Sequence, residues 1–238
     1  MTISKKLLKN VSYENGIELD ELALDRFDMY ASLLIEWNEK INLTAITLPD
    51  EIVIKHFVDS LLLFNCIDIQ DGTKIIDVGT GAGLPGVALL IAKPNIDLTL
   101  LDSTKKKLNV IEDILEKLGL SAEIVHSRAE EAGKMPQFRE QFDIVTARAV
   151  SNLRDLSEYC LPFAKVGGVF APLKAIGASE ELESAKGAIN TLGGEFCKIE
   201  KFMLEDCGER NIIIINKISQ TSSKYPRVSA QIAKNPLT

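Results

Sequence analysis

A chain of 238 residues that is 46% hydrophobic is long enough to bury one full α/β core, which excludes both a disordered chain and a small fold held together by disulfides. Its net charge of −7 argues against a protein that coats nucleic acid without selectivity. Basic residues are concentrated at the ends: residues 1–9 and 210–238 contain lysine or arginine but no acid, and these ends either contact phosphates or only solubilise the termini.

The first third of the chain predicts helices and no strand. Apolar residues recur at helical spacing over residues 21–38, and a shorter helix is predicted over 7–13. A second apolar pattern over 52–64 carries His56 among its polar residues. We therefore predict that residues 1–70 form a helical cap on the domain that follows.

Residues 74–86 read Lys-Ile-Ile-Asp-Val-Gly-Thr-Gly-Ala-Gly-Leu-Pro-Gly, which predicts a short buried strand followed by a glycine turn and a helix. Glycines permit positive φ and let backbone N–H groups approach a ligand at the opening of the helix. This pattern is typical of a nucleotide pocket. The spacing Gly81-x-Gly83-x-x-Gly86 also satisfies the dinucleotide fingerprint, so the glycines alone do not identify the nucleotide.

Two residues favour S-adenosylmethionine (AdoMet) over NAD. Asp77 lies two residues before Gly79, where a carboxylate suits the cationic α-amino group of AdoMet and would repel a pyrophosphate. Pro85 supplies no N–H at a helix start that would have to bind that pyrophosphate. The alternative for Asp77 is a structural role, in which its carboxylate ties the turn to neighbouring backbone N–H groups.

After Gly72, strands and helices alternate, which predicts a parallel sheet with helices on both faces. The predicted strands are 74–78, 98–102, 122–126, 142–146, 168–174, 195–203 and 211–217, and the predicted helices between them are 85–92, 104–118, 152–160 and 179–192. The link between the last two strands is too short for a helical crossover, so the final strand should be antiparallel.

Seven strands that end in a hairpin are the arrangement of AdoMet methyltransferases, whereas a dinucleotide domain would end on a parallel sixth strand. We predict an α/β fold of this kind, a class I AdoMet-dependent methyltransferase domain with a Rossmann-like, mostly parallel sheet, over residues 71–218. Residues 1–70 form its N-terminal helical extension, and residues 219–238 form a basic C-terminal tail.

The four cysteines are widely spaced, and neither histidine lies at metal-ligand spacing from them. This pattern is typical of reduced thiols in a cytoplasmic protein and predicts no metal site. No apolar run approaches the roughly 20 residues of a membrane span, and the first residues lack the apolar region of a secretory signal. We therefore expect a soluble, cytoplasmic protein.

Ligands of an open α/β sheet bind at the carboxyl ends of the strands, so residues there are the first candidates. Asp102 ends the second predicted strand and suits the ribose hydroxyls of a nucleoside. Ala129 and Glu130 follow the third strand and would lie beside an adenine. Glu130 is equally suited to a helix start, where an acid is favourable, and that alternative stays open.

Arg148 follows the fourth predicted strand, where methyl donor and substrate would meet. A guanidinium cannot act as a base, but it can hold a phosphate or stack on a nucleobase. The alternative is a buried ion pair with Asp77 or Asp143. His56 is the obvious candidate for a general base, yet a histidine on an apolar helix is more often a hydrogen-bonded packing residue.

The loop after the fourth strand also limits the reaction. It contains neither the Asn-Pro-Pro-Tyr or Asp-Pro-Pro-Tyr run of exocyclic amine methylation nor the Pro-Cys nucleophile of pyrimidine C5 methylation. A ring nitrogen with a free lone pair remains, and such a nucleophile needs no deprotonation. Proximity and in-line orientation would then supply most of the rate.

Several longer motifs are more specific than the glycine turn. They are Trp37-Asn38, Ile41-Asn42-Leu43-Thr44, Lys55-His56-Phe57-Val58-Asp59-Ser60, Asp77 to Gly86, Lys105-Lys106-Lys107, Arg128-Ala129-Glu130, Arg148-Ala149 and Lys224-Tyr225-Pro226-Arg227. On these motifs the chain resembles, over nearly its whole length, the bacterial 16S rRNA guanosine N7-methyltransferases, the family also called glucose-inhibited division protein B.

The resemblance implies methylation of N7 on one guanosine of 16S rRNA, with rRNA or the small ribosomal subunit as partner and with no metal or second cofactor. We predict a monomer. Together with the strand-end argument, the predicted AdoMet contacts are Asp77, Gly79, Gly81, Leu84, Asp102, Ala129, Glu130 and Arg148. Arg148 is also the predicted catalytic residue, at the junction of AdoMet and guanine.

The predicted RNA contacts are His56, Lys174 and Arg227. The chain departs from the family at two places near them, since Lys174 is followed by Ala175 in place of glycine and the tail after Arg227 lacks the usual Gly- and Pro-rich basic segment. Two other functions stay open: a methyltransferase for a metabolite or protein, and an AdoMet-dependent sensor or ribosome-assembly factor. The fold alone does not separate them.

Overall fold

The computed structural model describes residues 2–205 and 207–238. Its helical elements are α1 (Lys5–Glu14), α2 (Glu21–Asn38), α3 (Pro49–Glu51), a π-helix (Ile52–Val58), α4 (Asp59–Leu61), a 3₁₀ turn (Leu62–Asn65), α5 (Gly86–Ala92), α6 (Lys105–Leu118), α7 (Ala129–Ala132), α8 (Leu153–Cys160), a 3₁₀ turn (Leu161–Phe163), α9 (Ala178–Thr191) and α10 (Ser229–Lys234). The strands are β1 (Lys74–Val78), β2 (Asp97–Asp102), β3 (Glu123–His126), β4 (Phe142–Arg148), β5 (Ala164–Lys174), β6 (Gly194–Leu204) and β7 (Gly208–Lys217).

The seven strands form one sheet in the order β3-β2-β1-β4-β5-β7-β6. Pairs from β3 through β5 are parallel, and β7 runs antiparallel to both of its neighbours. The predicted fold class is therefore confirmed. Chain order reverses beside β1, which lies between β2 and β4, and this switch point is where an open α/β sheet forms its ligand crevice.

Five strands are longer than predicted, β2 by one residue, β6 by two, and β4, β5 and β7 as follows. β4 extends through Arg148, which pairs with Leu173 of β5. β5 begins at Ala164, although the Gly-Gly pair at 167–168 reads as a turn, because pairing with β4 resumes after a register irregularity. β7 begins at Gly208, which pairs directly with Leu204, so the hairpin link is shorter than the sequence indicates.

Two apolar cores cover the two faces of the sheet, and alternate residues of each strand enter opposite cores. The first core joins α5 and α6 to the N-terminal helices, and the second contains α8 and α9. In the first, Phe57 lies with its ring centroid 4.8 Å from that of Phe27 and 5.3 Å from that of Tyr30. The N-terminal cap thus shares a continuous core with the sheet, and the domain division at residue 70 stays a prediction.

The segment that carries His56 differs from a regular α-helix. The sequence predicts helix over 52–64, and the structure is helical there, but Ile52–Val58 is a π-helix between short α-helical turns. A π-helix has an extra residue per turn compared with an α-helix, and π-helical segments frequently lie at functional sites. Its last residue is followed at once by Asp59, which is buried.

All four cysteines are free thiols. In the part of the chain that the structure describes, no helix combines the length and the apolar character needed to cross a membrane.

The shared core generates a stability prediction. Phe57 is fully buried, so Phe57→Ala should lower the free energy of unfolding by about 3–5 kcal/mol through lost apolar burial and a residual cavity. Urea denaturation followed by circular dichroism measures this loss. Tyr13→Ala, at an exposed tyrosine of α1, is the matched control and should stay within about 0.5 kcal/mol of the parent. Equal effects of the two substitutions would contradict a core shared by cap and sheet.

Candidate functional site

A cavity of about 590 Å³ opens at the carboxyl ends of β1, β2, β3 and β4. Gly79, Gly81 and Leu84 of the turn after β1 line one side of the cavity. The remaining predicted contacts lie at or just after the ends of β2, β3 and β4, and they are Asp102, Ala129, Glu130 and Arg148. The N-terminal cap closes one wall with Leu43, Thr44 and His56. The structure therefore brings together seven of the eight predicted AdoMet contacts and one of the three predicted RNA contacts.

Asp77, the eighth predicted contact, lies behind the turn and is not part of the cavity lining. Its Oδ2 accepts hydrogen bonds from Thr80 Oγ1 (2.7 Å) and from the Gly86 backbone N–H (2.9 Å), while its buried Oδ1 has no hydrogen-bond partner within the described residues. Burial raises the pKa of Asp77 to about 6. The carboxylate thus ties the turn together, as the structural alternative proposed, and keeps one unsatisfied oxygen.

The turn requires glycine at Gly79, where φ is +71°. A Cβ there would also lie 2.7 Å from a methyl group of Val150, which leans over the turn from the loop after β4. Gly83 requires glycine for a similar reason, since a Cβ would lie 2.8 Å from the Tyr30 hydroxyl. The glycines therefore let the cap and the β4 loop approach the backbone closely.

Tyr30 contacts the glycine turn after β1, whereas the sequence predicts only that it belongs to an amphipathic helix. Its buried hydroxyl donates to the Ala82 carbonyl at 2.7 Å, and burial raises the pKa of Tyr30 well above its usual value. The sequence carries one signal for this role, a tyrosine within the apolar stripe of α2, because a buried tyrosine hydroxyl needs a hydrogen-bond partner.

Asp102 contacts the turn as well as the cavity. Its Oδ2 accepts from the Gly81 N–H at 3.0 Å, and its Oδ1 accepts from the Thr104 N–H at 2.7 Å. A carboxylate oxygen has two lone pairs, so each keeps one for a further donor such as a ribose hydroxyl. Glu130 lies in the first turn of the short helix α7 and also lines the cavity, so both of its predicted roles fit its position.

Arg148 forms a buried ion pair, but with neither of the partners that the sequence suggested. Its Nη1 lies 2.8 Å from Asp59 Oδ2 and also donates to the Lys55 carbonyl at 3.2 Å. Asp143 lies at the opposite end of β4, where it accepts from the Lys74 N–H and pairs with Lys165. Arg148 nevertheless lines the cavity, so it is held from the cap side and faces the ligand space.

His56 forms part of the cavity wall and is neutral at pH 7. Its Nε2 lies 2.8 Å from Thr44 Oγ1 and its Nδ1 lies 3.2 Å from the Lys55 carbonyl. Burial, reinforced by the charge of Arg148, lowers the pKa of His56 to about 4. A group with so low a pKa is a weak base, which agrees with a packing role.

Lys174 and Arg227 do not line the cavity, and both are engaged within the protein. The Lys174 ammonium donates to the Ser151 carbonyl (2.6 Å) and to Glu181 (2.8 Å). The Arg227 guanidinium pairs with Glu158 and donates to the Asn235 carbonyl, which fastens the C-terminal tail. Their predicted contacts with RNA stay predictions, and RNA would have to share cations that already have partners.

The cavity is also lined by residues that the sequence did not predict as site residues, including Thr44, Lys107, Val150, Tyr159 and Ser229. Thr44 and Lys107 lie in motifs that carry the family resemblance, which is the signal that points to them. Ser229 belongs to the tail, and only the folded chain brings it to the cavity. Across residues 2–205 and 207–238, no group of three or more His, Cys, Asp and Glu side chains is arranged to hold a metal ion.

Comparison with known proteins identifies relatives of this chain. A family model described as rRNA small subunit methyltransferase G matches residues 23–213. Ribosomal RNA small subunit methyltransferase G of Clostridium novyi (strain NT) is 46% identical over 231 residues, which cover 96% of this chain and 95% of the relative. The protein of the same name from Geobacillus sp. (strain WCH70) is 47% identical over 226 residues, with 94% and 95% covered.

Solved structures of lower identity share the fold. TrmN from Thermus thermophilus superposes with a TM-score of 0.53 at 18% identity, over 68% of this chain and 48% of that one. A SAM-dependent O-methyltransferase from Thermotoga maritima gives a TM-score of 0.52 at 17% identity, over 79% and 72%. At these identities the likeness concerns the fold alone.

The shifted pKa of His56 predicts acid sensitivity. Because the folded-state pKa of about 4 lies below the ordinary value of 6.5, the unfolded chain takes up the proton first, and stability falls as the pH drops from 6.5 to 4. His56→Gln should abolish about 2 kcal/mol of this loss between pH 7 and 4.5, measured by urea denaturation. His126→Gln, at the exposed histidine of β3, retains His56 and should keep the parental dependence. Identical pH profiles for His56→Gln and the parent would contradict a buried neutral histidine.

Proposed function

This chain belongs to the family of ribosomal RNA small subunit methyltransferase G, and we propose that it transfers a methyl group from AdoMet to N7 of one guanosine in 16S rRNA. It is an rRNA methyltransferase with the seven-stranded α/β fold of class I enzymes. The proposal is supported by one cavity in which the glycine turn and Arg148 face the same space.

Four features of the cavity support AdoMet as its ligand. The glycine turn leaves backbone close to the ligand space, with no Cβ at Gly79 or Gly81. Asp102 retains acceptor capacity at the end of β2, where a ribose would lie. The unsatisfied Oδ1 of Asp77, directly behind the turn, supplies negative charge that complements a cationic ligand. A volume of about 590 Å³ is in the range of small-molecule sites.

The chemistry of guanine N7 agrees with the side chains at the cavity wall. When bound, AdoMet supplies a methyl group on a sulfonium, and the N7 lone pair forms the new N–C bond while the S–C bond electrons stay on sulfur, so no proton moves. A general base is therefore unnecessary, which agrees with the lowered pKa of His56 and its contact with Thr44. The task of the protein is to hold two reactants in line.

Arg148 suits recognition of the base. Guanine presents O6, an acceptor, beside N7, whereas adenine presents an amino donor at the same place. A guanidinium at the cavity wall can donate to O6 and would meet a donor in adenine, so Arg148 favours guanine. The major groove of A-form RNA is too narrow for a side chain to reach N7, so the target nucleotide must lie in a loop or be splayed from its stack.

The test is methyl transfer by the purified protein to small ribosomal subunits from a strain that lacks the gene. Radiolabelled AdoMet and mass spectrometry of digested 16S rRNA should reveal one N7-methylguanosine per subunit. Arg148→Ala should lower the rate at least about 100-fold, because orientation of the base is lost.

Arg26→Ala is the control, since Arg26 donates to the Leu118 carbonyl and does not line the cavity. It should retain the parental rate. Transfer of label to another atom, to protein or to a small molecule, or none at all, would contradict the proposal.

A further inference from the structure

One carboxylate connects Arg148 to two distant parts of the chain. Asp59, in α4 of the N-terminal cap, lies with Oδ2 2.8 Å from Arg148 Nη1 and Oδ1 3.2 Å from Arg210 Nε. Arg148 ends β4, and Arg210 is in β7 just after the hairpin. Asp59 is only 5% exposed, so these three groups form a largely buried charged cluster beside the cavity.

The cluster fixes the guanidinium of Arg148 from one side. Nη1 is held by Asp59 and by the Lys55 carbonyl, while Ser60 Oγ and the His56 carbonyl lie at 3.5 Å. Nη2 lies 3.4 Å from His56 Nδ1, and Nε makes no hydrogen bond to the residues described. The π-helix and Asp59 therefore clamp one edge of the guanidinium, and the remaining donors are left toward the cavity that Arg148 lines.

The charges of the cluster do not cancel. Two guanidiniums share one carboxylate, the neighbouring Lys55 is paired with Glu51, and His56 is neutral at pH 7. Without the carboxylate, Arg148 and Arg210 would repel each other across the position of Asp59, and Arg148 would move. A neutral side chain of the same shape would keep the packing but not this restraint.

The reaction gives the carboxylate a second role. Methylation of N7 moves positive charge from the sulfonium onto the purine ring, close to Arg148. The negative charge of Asp59 offsets the repulsion between that developing charge and the guanidinium, an effect that is strong where water is excluded. Asp59 therefore favours methyl transfer in two ways, by restraining the Arg148 guanidinium and by offsetting its charge.

We propose that Asp59 is a positioning residue for methyl transfer, which holds the Arg148 guanidinium at the cavity wall and balances its charge, with Arg210 as the second cation of the cluster. This inference rests on the proposed function of the site. The alternative is that the cluster only fastens the cap to the sheet, although a buried ion pair is weak evidence for stability.

The test compares Asp59→Asn, Asp59→Glu and the control Asp143→Asn. Asp143 pairs with Lys165 and accepts from the Lys74 N–H at the start of β4, the strand that Arg148 ends, so its substitution removes a more exposed ion pair of the same strand far from the cavity. Each variant is assayed for the single-turnover rate of methyl transfer at saturating AdoMet and small subunits, for the Kd of AdoMet by calorimetry and for thermal stability.

We expect Asp59→Asn to lower the single-turnover rate about 100-fold while the Kd of AdoMet changes less than about threefold, because the reactants bind but are misaligned. Asp59→Glu keeps the charge and should recover at least a tenth of the parental rate, whereas Asp143→Asn should keep all of it. In an Arg148→Lys background, Asp59→Asn should cause little further loss, since the two residues act as one unit.

A parental single-turnover rate for folded Asp59→Asn would overturn the inference, as would a loss in rate that only follows the folded fraction. If Asp59→Asn does not fold, Asp59→Glu decides: a folded variant as slow as Arg148→Ala would overturn the inference, and partial recovery would support it. Failure of the unsubstituted protein to methylate small subunits would instead refute the proposed function, so the two failures are distinguishable.

Discussion

The site depends on the conformation of the turn after β1, and one buried carboxylate holds that turn. Asp77 Oδ2 accepts from Thr80 and from the first N–H of α5, which closes the turn on itself. Charge-assisted hydrogen bonds of this kind each contribute roughly 1.5–3 kcal/mol, yet the pKa of Asp77 is raised to about 6 because the cost of burial exceeds that gain. The turn is therefore held by a group whose charge is not fully compensated, and a cationic ligand would compensate it.

The N-terminal cap is part of this arrangement. Tyr30 of α2 donates to the Ala82 carbonyl inside the turn, Phe57 packs on Tyr30, and Asp59 two residues later pairs with Arg148. Two segments of the cap, packed on each other, thus contact the glycine turn and the residue that ends β4. The helices of the cap place these groups relative to one another, which a bare seven-stranded domain would not do.

The strands and the position of the ligand crevice were predictable from the sequence, because short-range patterns specify them. Glycine spacing, β-branched strands and the short β6–β7 link determine the sheet and the place of its crevice, and the predicted strands differ from the structure mainly at their ends. The π-helix was not predictable, because its apolar pattern fits an α-helix equally well over so short a span. The partner of Arg148 was not predictable either, since Asp59 lies 89 residues away and pairs through the tertiary fold. For the same reason, the sequence alone did not reveal that Lys174 and Arg227 already have acidic partners.

We propose that one cavity holds the methyl donor over the glycine turn and presents its reactive end to Arg148. A crystal structure of the protein with S-adenosylhomocysteine tests this most directly, because the product of the donor reports its orientation. We expect the adenosine to lie between Asp102 and Glu130 and the sulfur to lie between Gly79 and Arg148. Density for the ligand outside this cavity, or a sulfur that faces away from Arg148, would contradict it.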